Sequence, residues 1–337
     1  MKCFNYLLLL ICCLFLTIRL QAQQVKYPGE LTVAQDGSGN YKTIQEAVNS
    51  VRDLGAQQVI IHIKKGTYHE KLIIPTWKTK ISLIGEDTKN TIITNADYSG
   101  KANPGGTDAF GKDKFTTYTS YTVLVQGNDC MIENLTIENT AGAVGQAVAL
   151  HVEGDRCIIR NCKLLGHQDT LYASTEKSRQ LYQDCYIEGT TDFIFGEATA
   201  VFQNCVIKSL TNSYVTAAAT TPRQQFGFVL FNCKLIADTS VTKAYLGRPW
   251  RPYAKTVYIQ CDLGSHILPE GWNPWKGDAM FPDKEKTAYY AEYKNSGAGA
   301  ATTARVSWSK QLTSEEAKTY TLKNILGGAD NWEPSTD

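Results

Sequence analysis

The chain has 337 residues, 43% of them hydrophobic and 20% charged, with a formal net charge of +1. That length suits one large domain or two ordinary ones. There is no basic run of the kind that binds nucleic acid and no acidic tail of the kind that stays disordered.

Residues 1–22 read as a signal peptide. Lys2 supplies a positive start, Leu7–Leu16 an apolar core, and Leu20-Gln21-Ala22 a cleavage site ending in a small residue. The apolar run is too short to span a bilayer easily. The mature chain is therefore expected to run from Gln23 to Asp337, secreted to the exterior, cell wall or periplasm, with no membrane attachment. It keeps seven of the ten cysteines, an odd number that argues against a full disulfide framework. Buried free thiols account for most of them.

In chain order, LTVAQ (31–35) reads as a short strand and DGSG (36–39) as a turn. Thr43-x-x-Glu46 fits a capping box, with Ile44, Ala47, Val48 and Val51 at helical spacing behind it. A short helix there would close the open end of a solenoid. Strands VIIHIKKG (59–66) and KLIIP (71–75) follow, joined by GTYHEK (66–71) read as a turn, and then KISLIGE (80–86) and NTIITNA (90–96). The polar, Gly-rich segment 100–114 reads as a loop leaving the coil.

From residue 130 a repeat is plain: CMIENLTIEN, CIIRNCKLLG, QLYQDCYIEG, AVFQNCVIKS, FVLFNCKLIA and TVYIQCDLGS. Each carries a polar-Cys or polar-Leu step near its middle, and successive steps lie 27, 23, 20, 28 and 28 residues apart. A period of 20–30 residues without helices between strands signals a β-solenoid. Doubly wound α/β would need a helix in each gap. The expected fold is all-β, a right-handed parallel β-helix over residues 23–337, with a C-terminal tail packed along it. One helical piece, Ser314–Lys318, is expected in that tail, and no second domain.

Asp169 and Asp192 are 23 residues apart, in step with Cys162 and Cys185. In a solenoid both pairs stack, and stacked parallel strands lie about 4.8 Å apart. Two carboxylates that close push one pKa up, leaving one charged acid beside one proton donor. Arg248, between Gly247 and Pro249, stands on a stiff backbone, and its fork could take a carboxylate in bidentate fashion. A solvated surface arginine is the alternative. No G-x-S-x-G elbow occurs, so a serine esterase lacks its nucleophile. Among the histidines, His62 reads as core and His69 as solvated, and none has zinc spacing. No cofactor is expected.

QDTLY (168–172), DFIFG (192–196) and LGRPW (246–250) together closely resemble the pectin methylesterases, the pectinesterase family. So do DGSGNYKTIQEAV (36–48), GTYHEK (66–71), GQAVAL (145–150), FQNC (202–205), AEYKNSGAGA (291–300), ARVSW (304–308) and ILGGADNW (325–332). The resemblance covers nearly the whole mature chain. It implies that Asp192 is the nucleophile, Asp169 the acid/base, and Gln146 and Gln168 the oxyanion donors. It also implies that Arg248 holds Asp192 and helps place the substrate, while Thr117 and Trp250 contact the sugar. The substrate implied is pectin, the methyl-esterified polygalacturonan, handled by a monomer.

Three departures or openings remain within that resemblance. His167 stands where the family usually has an aromatic residue. Cys185 and Cys205 match a pair bridged in many plant members; two buried free thiols are the alternative. Plant members often carry an N-terminal inhibitor-like region, and here the motifs begin within about 15 residues of the cleavage point, so none is expected. Rival functions are another pectin-acting β-helix enzyme (a lyase or a polygalacturonase) and a non-catalytic carbohydrate-binding β-helix. The last should lack one of Asp169, Asp192, Arg248 or the two glutamines.

Overall fold

The computed structural model describes residues 27–108 and 111–334. The expected signal peptide and its cleavage point near Ala22 lie outside the described residues. Among those residues, every strand pairing is parallel, in three sheets of 11, 8 and 7 strands. The coils stack into a parallel β-helix.

The polar step of the repeat is the corner of each coil. CIIRNCKLLG splits into strands Cys157–Arg160 and Lys163–Leu165, in two different sheets. Asn161, between them, has φ 45°, and Asn134, Asp184, Asn204, Asn232 and Gln260 are also left-handed. Asn and Asp tolerate this region because a short polar side chain can hydrogen-bond locally. The corner amide donates into the next coil: Asn161 N to Gln183 O at 2.9 Å, Asp184 N to Gln203 O at 3.0 Å, and Asn204 N to Phe231 O at 3.0 Å.

Register then follows from repetition. Lys163 pairs with Tyr186, Tyr186 with Val206, Val206 with Lys234 and Lys234 with Asp262. One position earlier, Cys162, Cys185, Cys205, Cys233 and Cys261 form a column, all buried. Beside it Leu164, Ile187, Ile207, Leu235 and Leu263 form an aliphatic column that is equally dry. In the adjoining sheet Tyr182 stacks on Phe202, ring centroids 4.7 Å apart. Ile187 lies in the middle of the aliphatic column with no exposed surface. Ile187→Ala should therefore lower unfolding free energy by about 3 kcal/mol, read from urea denaturation.

Cys185 and Cys205 are neighbours in their column, yet both are free thiols. Of the two alternatives left open by the sequence, this is the pair of buried free thiols. Parallel stacking aims both side chains the same way rather than at each other. Each sulfur instead faces a carbonyl of the preceding coil: Cys185 Sγ lies 3.4 Å from Ile159 O, and Cys205 Sγ 3.4 Å from Tyr182 O. Burial pushes both thiols well above the ordinary range.

The ends are closed differently. Helix Ile44–Ser50 has the capping box at Thr43 and Glu46 and buries Ile44, Ala47 and Val48 against the first coil. Glu70 accepts from the amides of Ile44 and Gln45, both at 2.9 Å, which ties the helix start to the solenoid. The C-terminal segment packs on the outer face of the 11-stranded sheet. Ile325 and Leu326 join Leu181, Val201, Val229 and Val257 in a satellite core. Arg179 pins this segment, reaching Leu326 O at 3.0 Å and Asp330.

Several expectations need correction. Gly66–His69 is a strand, not a turn. Among the described residues the tail holds two helices, Ser314–Ala317 and Leu322–Leu326, rather than one. His62 lies on the outer face, 44% exposed, between the buried Ile61 and Ile63. Its strand alternates as expected, with the opposite face inward.

Candidate active site

Successive coils of the seven-stranded sheet bring the predicted residues into one row. Gln146 pairs with Gln168 across a parallel bridge, and Ala147 N donates to Gln168 O at 3.0 Å. Asp169 N donates to Thr191 O, and Leu171 stands beside Ile194, so Asp169 and Asp192 occupy matching positions. Asp192 N donates to Tyr214 O and Arg248 N to Thr216 O, both at 2.9 Å. The order across the sheet is Gln146, Gln168 with Asp169, Asp192, then Arg248.

Both aspartates are left-handed, with φ 65° at Asp169 and 50° at Asp192. They sit where the chain turns into the short strands Leu171–Ala173 and Ile194–Gly196. Backbone in sparsely populated regions gathers at functional sites. Gly196 has φ 127°, and a Cβ there would lie 2.0 Å from Ala173 O, so only glycine closes DFIFG.

Arg248 grips Asp192 with two parallel bonds, Nε to Oδ1 at 2.9 Å and Nη2 to Oδ2 at 2.6 Å. Its guanidinium carbon lies 3.8 Å from the Tyr214 ring centre and 3.5 Å from that of Trp275. Two aromatic contacts and a carboxylate leave the fork little freedom. The solvated-surface alternative is excluded by this packing. Gly247 permits it: a Cβ there would collide with the Thr216 hydroxyl at 2.0 Å.

The two carboxyls are not equivalent. Asp169 is 8% exposed and Asp192 5%. Burial raises Asp169 well above the usual carboxylate range, and the charge of Asp192 adds to the rise. Burial is the larger cause, where the spacing alone had pointed to repulsion. Burial raises Asp192 too, but the Arg248 hydrogen bonds and charge pull it back down. Of the two, Asp169 has the stronger bias toward the protonated form, while the Arg248 contacts favour the charged form of Asp192.

A cleft of 310 Å³ is lined by Thr117, Gln146, Gln168, Asp169, Asp192, Arg248 and Trp250. All seven predicted site residues thus meet in one place. Thr117 opens a 3₁₀ turn, Thr117–Thr119, held by Ser120 Oγ donating to Thr117 O at 2.8 Å. Tyr118, Phe195, Ala217, Arg251 and Trp275 also line the cleft and were not singled out from sequence. Phe195 lies inside the DFIFG motif and Arg251 directly after LGRPW, so both had a signal. Trp275 had only its place in a Trp- and Pro-rich loop.

The cleft floor continues as an aromatic run. Tyr172 stacks on Phe195, centroids 4.4 Å apart and planes 2° from parallel, and Trp250 meets both edge-on. His151 lies 4.3 Å from Tyr172, and burial pulls its pKa down to about 3, so it stays neutral. His167 contributes its carbonyl, which accepts from Thr190 N at 2.9 Å and the Thr170 hydroxyl at 3.2 Å.

Residues 30–329 match the family model of the pectinesterases. The chain belongs to the pectinesterase family. It is 42% identical over 317 residues to a pectinesterase of Petunia integrifolia, covering 89% of this chain and 80% of that one. It is 39% identical to a probable pectinesterase/pectinesterase inhibitor of Arabidopsis thaliana, covering 94% of this chain and 56% of that one. The chain thus spans about half the length of the Arabidopsis relatives it matches. Among solved structures, the pectin methylesterase from carrot is 37% identical with a TM-score of 0.80, covering 89% of this chain and 93% of that one. A pectin methylesterase in complex with a hexasaccharide is 30% identical with a TM-score of 0.77, covering 91% and 98%.

Proposed function

We propose that this pectinesterase-family protein is a secreted esterase that removes methyl groups from pectin, yielding free carboxylates and methanol. The observation that carries the reading is the Arg248 fork on Asp192 beside the proton-holding Asp169, in one cleft with Gln146 and Gln168. The complex of a similar pectin methylesterase with a hexasaccharide supports a carbohydrate in this cleft.

Asp192, ionised and oriented by Arg248, attacks the C6 carbonyl of a methyl-esterified galacturonate. The side-chain amides of Gln146 and Gln168 donate to the developing oxyanion. Asp169 gives its proton to the departing methanol. It then takes a proton from the water that hydrolyses the acyl-enzyme, which frees Asp192. Trp250 offers a ring face to a sugar and Thr117 a hydroxyl at the cleft wall. Arg248 acts by keeping Asp192 charged and in place.

Methanol release from highly methylated pectin tests the reaction. Methanol without new reducing ends or unsaturated products is expected. Either of those products in place of methanol means a polygalacturonase or a lyase. The pH profile should be bell-shaped. Activity falls in acid as Asp192 is protonated, and falls in alkali as Asp169 loses its proton. Because both carboxyls are raised, both limbs should lie above the ordinary carboxylate range. A profile that is flat from acid to neutral would remove Asp192 from this role.

The leader at 1–22 supports export, and residues 23–337 are taken as one catalytic domain acting as a monomer. Protein recovered from the medium should begin at Gln23 and elute from a sizing column at the mass of one chain. A start at Met1 or elution as a dimer would contradict these two points.

A further inference from the structure

Arg251 lines the same cleft, half-buried beside Trp250. Its guanidinium carbon lies 4.5 Å from the Trp250 ring centre and 5.2 Å from that of Phe281. The guanidinium's sole hydrogen bond among the described residues is Nη1 donating to Trp250 O at 3.2 Å. A guanidinium carries five N–H donors, so most of this fork has no protein acceptor. The other cleft cation, Arg248, has its Nε/Nη2 edge on Asp192, and the nearby buried Lys284 is held by Asp278 at 2.7 Å. Glu197 feels the Arg251 charge only weakly, forms no ion pair with it among the described residues, and already accepts from the Tyr172 hydroxyl at 3.2 Å.

We infer that Arg251 is a specificity-determining residue that binds the free carboxylate of a galacturonate unit already stripped of its methyl group. The inference rests on the esterase reading above. Each turnover turns a neutral ester into a carboxylate and leaves it on the polymer. A unit next to a fresh ester then carries the one anionic group the polymer offers repeatedly. A planar fork beside a sugar-stacking tryptophan fits that group in bidentate geometry. The site thereby favours esters that adjoin its own products, which drives removal in runs along the chain.

Steady-state kinetics on fully methylated and on half-methylated pectin test this with Arg251→Met, which keeps an apolar stem over Trp250. In the variant, KM on half-methylated pectin should rise about tenfold, the range of a charge-assisted hydrogen bond in a solvated groove. On fully methylated pectin it should rise less than threefold. Raising salt should erode the wild-type preference for half-methylated pectin and leave the variant's ratio flat. Arg251→Lys should restore part of the preference. Equal losses on both substrates would overturn the inference and make Arg251 a prop for Trp250. Absence of methanol from the unaltered protein would overturn the esterase reading and this one with it.

Discussion

Asp192→Asn should reduce methanol release on the order of 10⁴-fold, the scale of losing a nucleophile. Asparagine keeps the shape and accepts the left-handed φ of 50° at that corner, so the coil should persist. The same change should cost stability. Arg248 is 17% exposed and would keep its charge while losing both carboxylate bonds. Removing one partner of such a pair leaves an uncompensated cation, at a cost of about 2 kcal/mol once access to the cleft is allowed for. Circular dichroism should show the wild-type spectrum and a lower Tm. Full activity in a folded Asp192→Asn protein would take the nucleophile role away from this residue.

Asp169→Asn should also lower kcat, on the order of 10³-fold, through loss of the proton donor. Its effect on stability should have the opposite sign. Asp169 binds its proton more tightly folded than unfolded, because burial and then Asp192 oppose its charge. The folded state therefore holds more protons between the two pKa values, and stability falls as pH rises through that interval. An amide cannot ionise and escapes that loss. Asp169→Asn should melt above wild type at neutral pH, with the gap closing as pH drops toward the ordinary carboxylate value. A lower Tm for this variant at neutral pH would mean that Asp169 is stabilised as an anion.

The two substitutions thus separate two aspartates that look alike in sequence. Spacing alone placed them together, because a solenoid repeats its register and a 23-residue interval recurs at Leu171–Ile194 and Lys163–Tyr186. The corner chemistry was legible for the same reason. A polar residue before each inward Cys or Leu is what a left-handed corner over a packed column requires. What decides between the two acids was only partly legible. LGRPW suggested a bidentate arginine, but the Tyr214 and Trp275 rings that hold it come from different coils.

Other features were hidden for identifiable reasons. The strands of the seven-stranded sheet that carry the site, such as Leu171–Ala173, are three residues long, too short for period-2 alternation to register. Gly66–His69 begins with glycine and buries only Tyr68, so it resembled a turn. Alternation at 59–63 marked two faces without saying which was inner, and His62 fell on the outer one. Helix Leu322–Leu326 has five residues, fewer than two turns, and owes its place to packing of Ile325 and Leu326 on the sheet. The free state of Cys185 and Cys205 depends on side-chain direction, which stacking distance alone does not give.

The division of one proton between two acids is open to direct measurement. Infrared titration of the carboxyl groups should reveal a protonated acid near neutral pH in the wild-type protein. The signal should disappear in Asp169→Asn and persist in Asp192→Asn, since burial is the main cause of the shift at Asp169. Loss of that signal in Asp192→Asn, with retention in Asp169→Asn, would reverse the roles and contradict the mechanism.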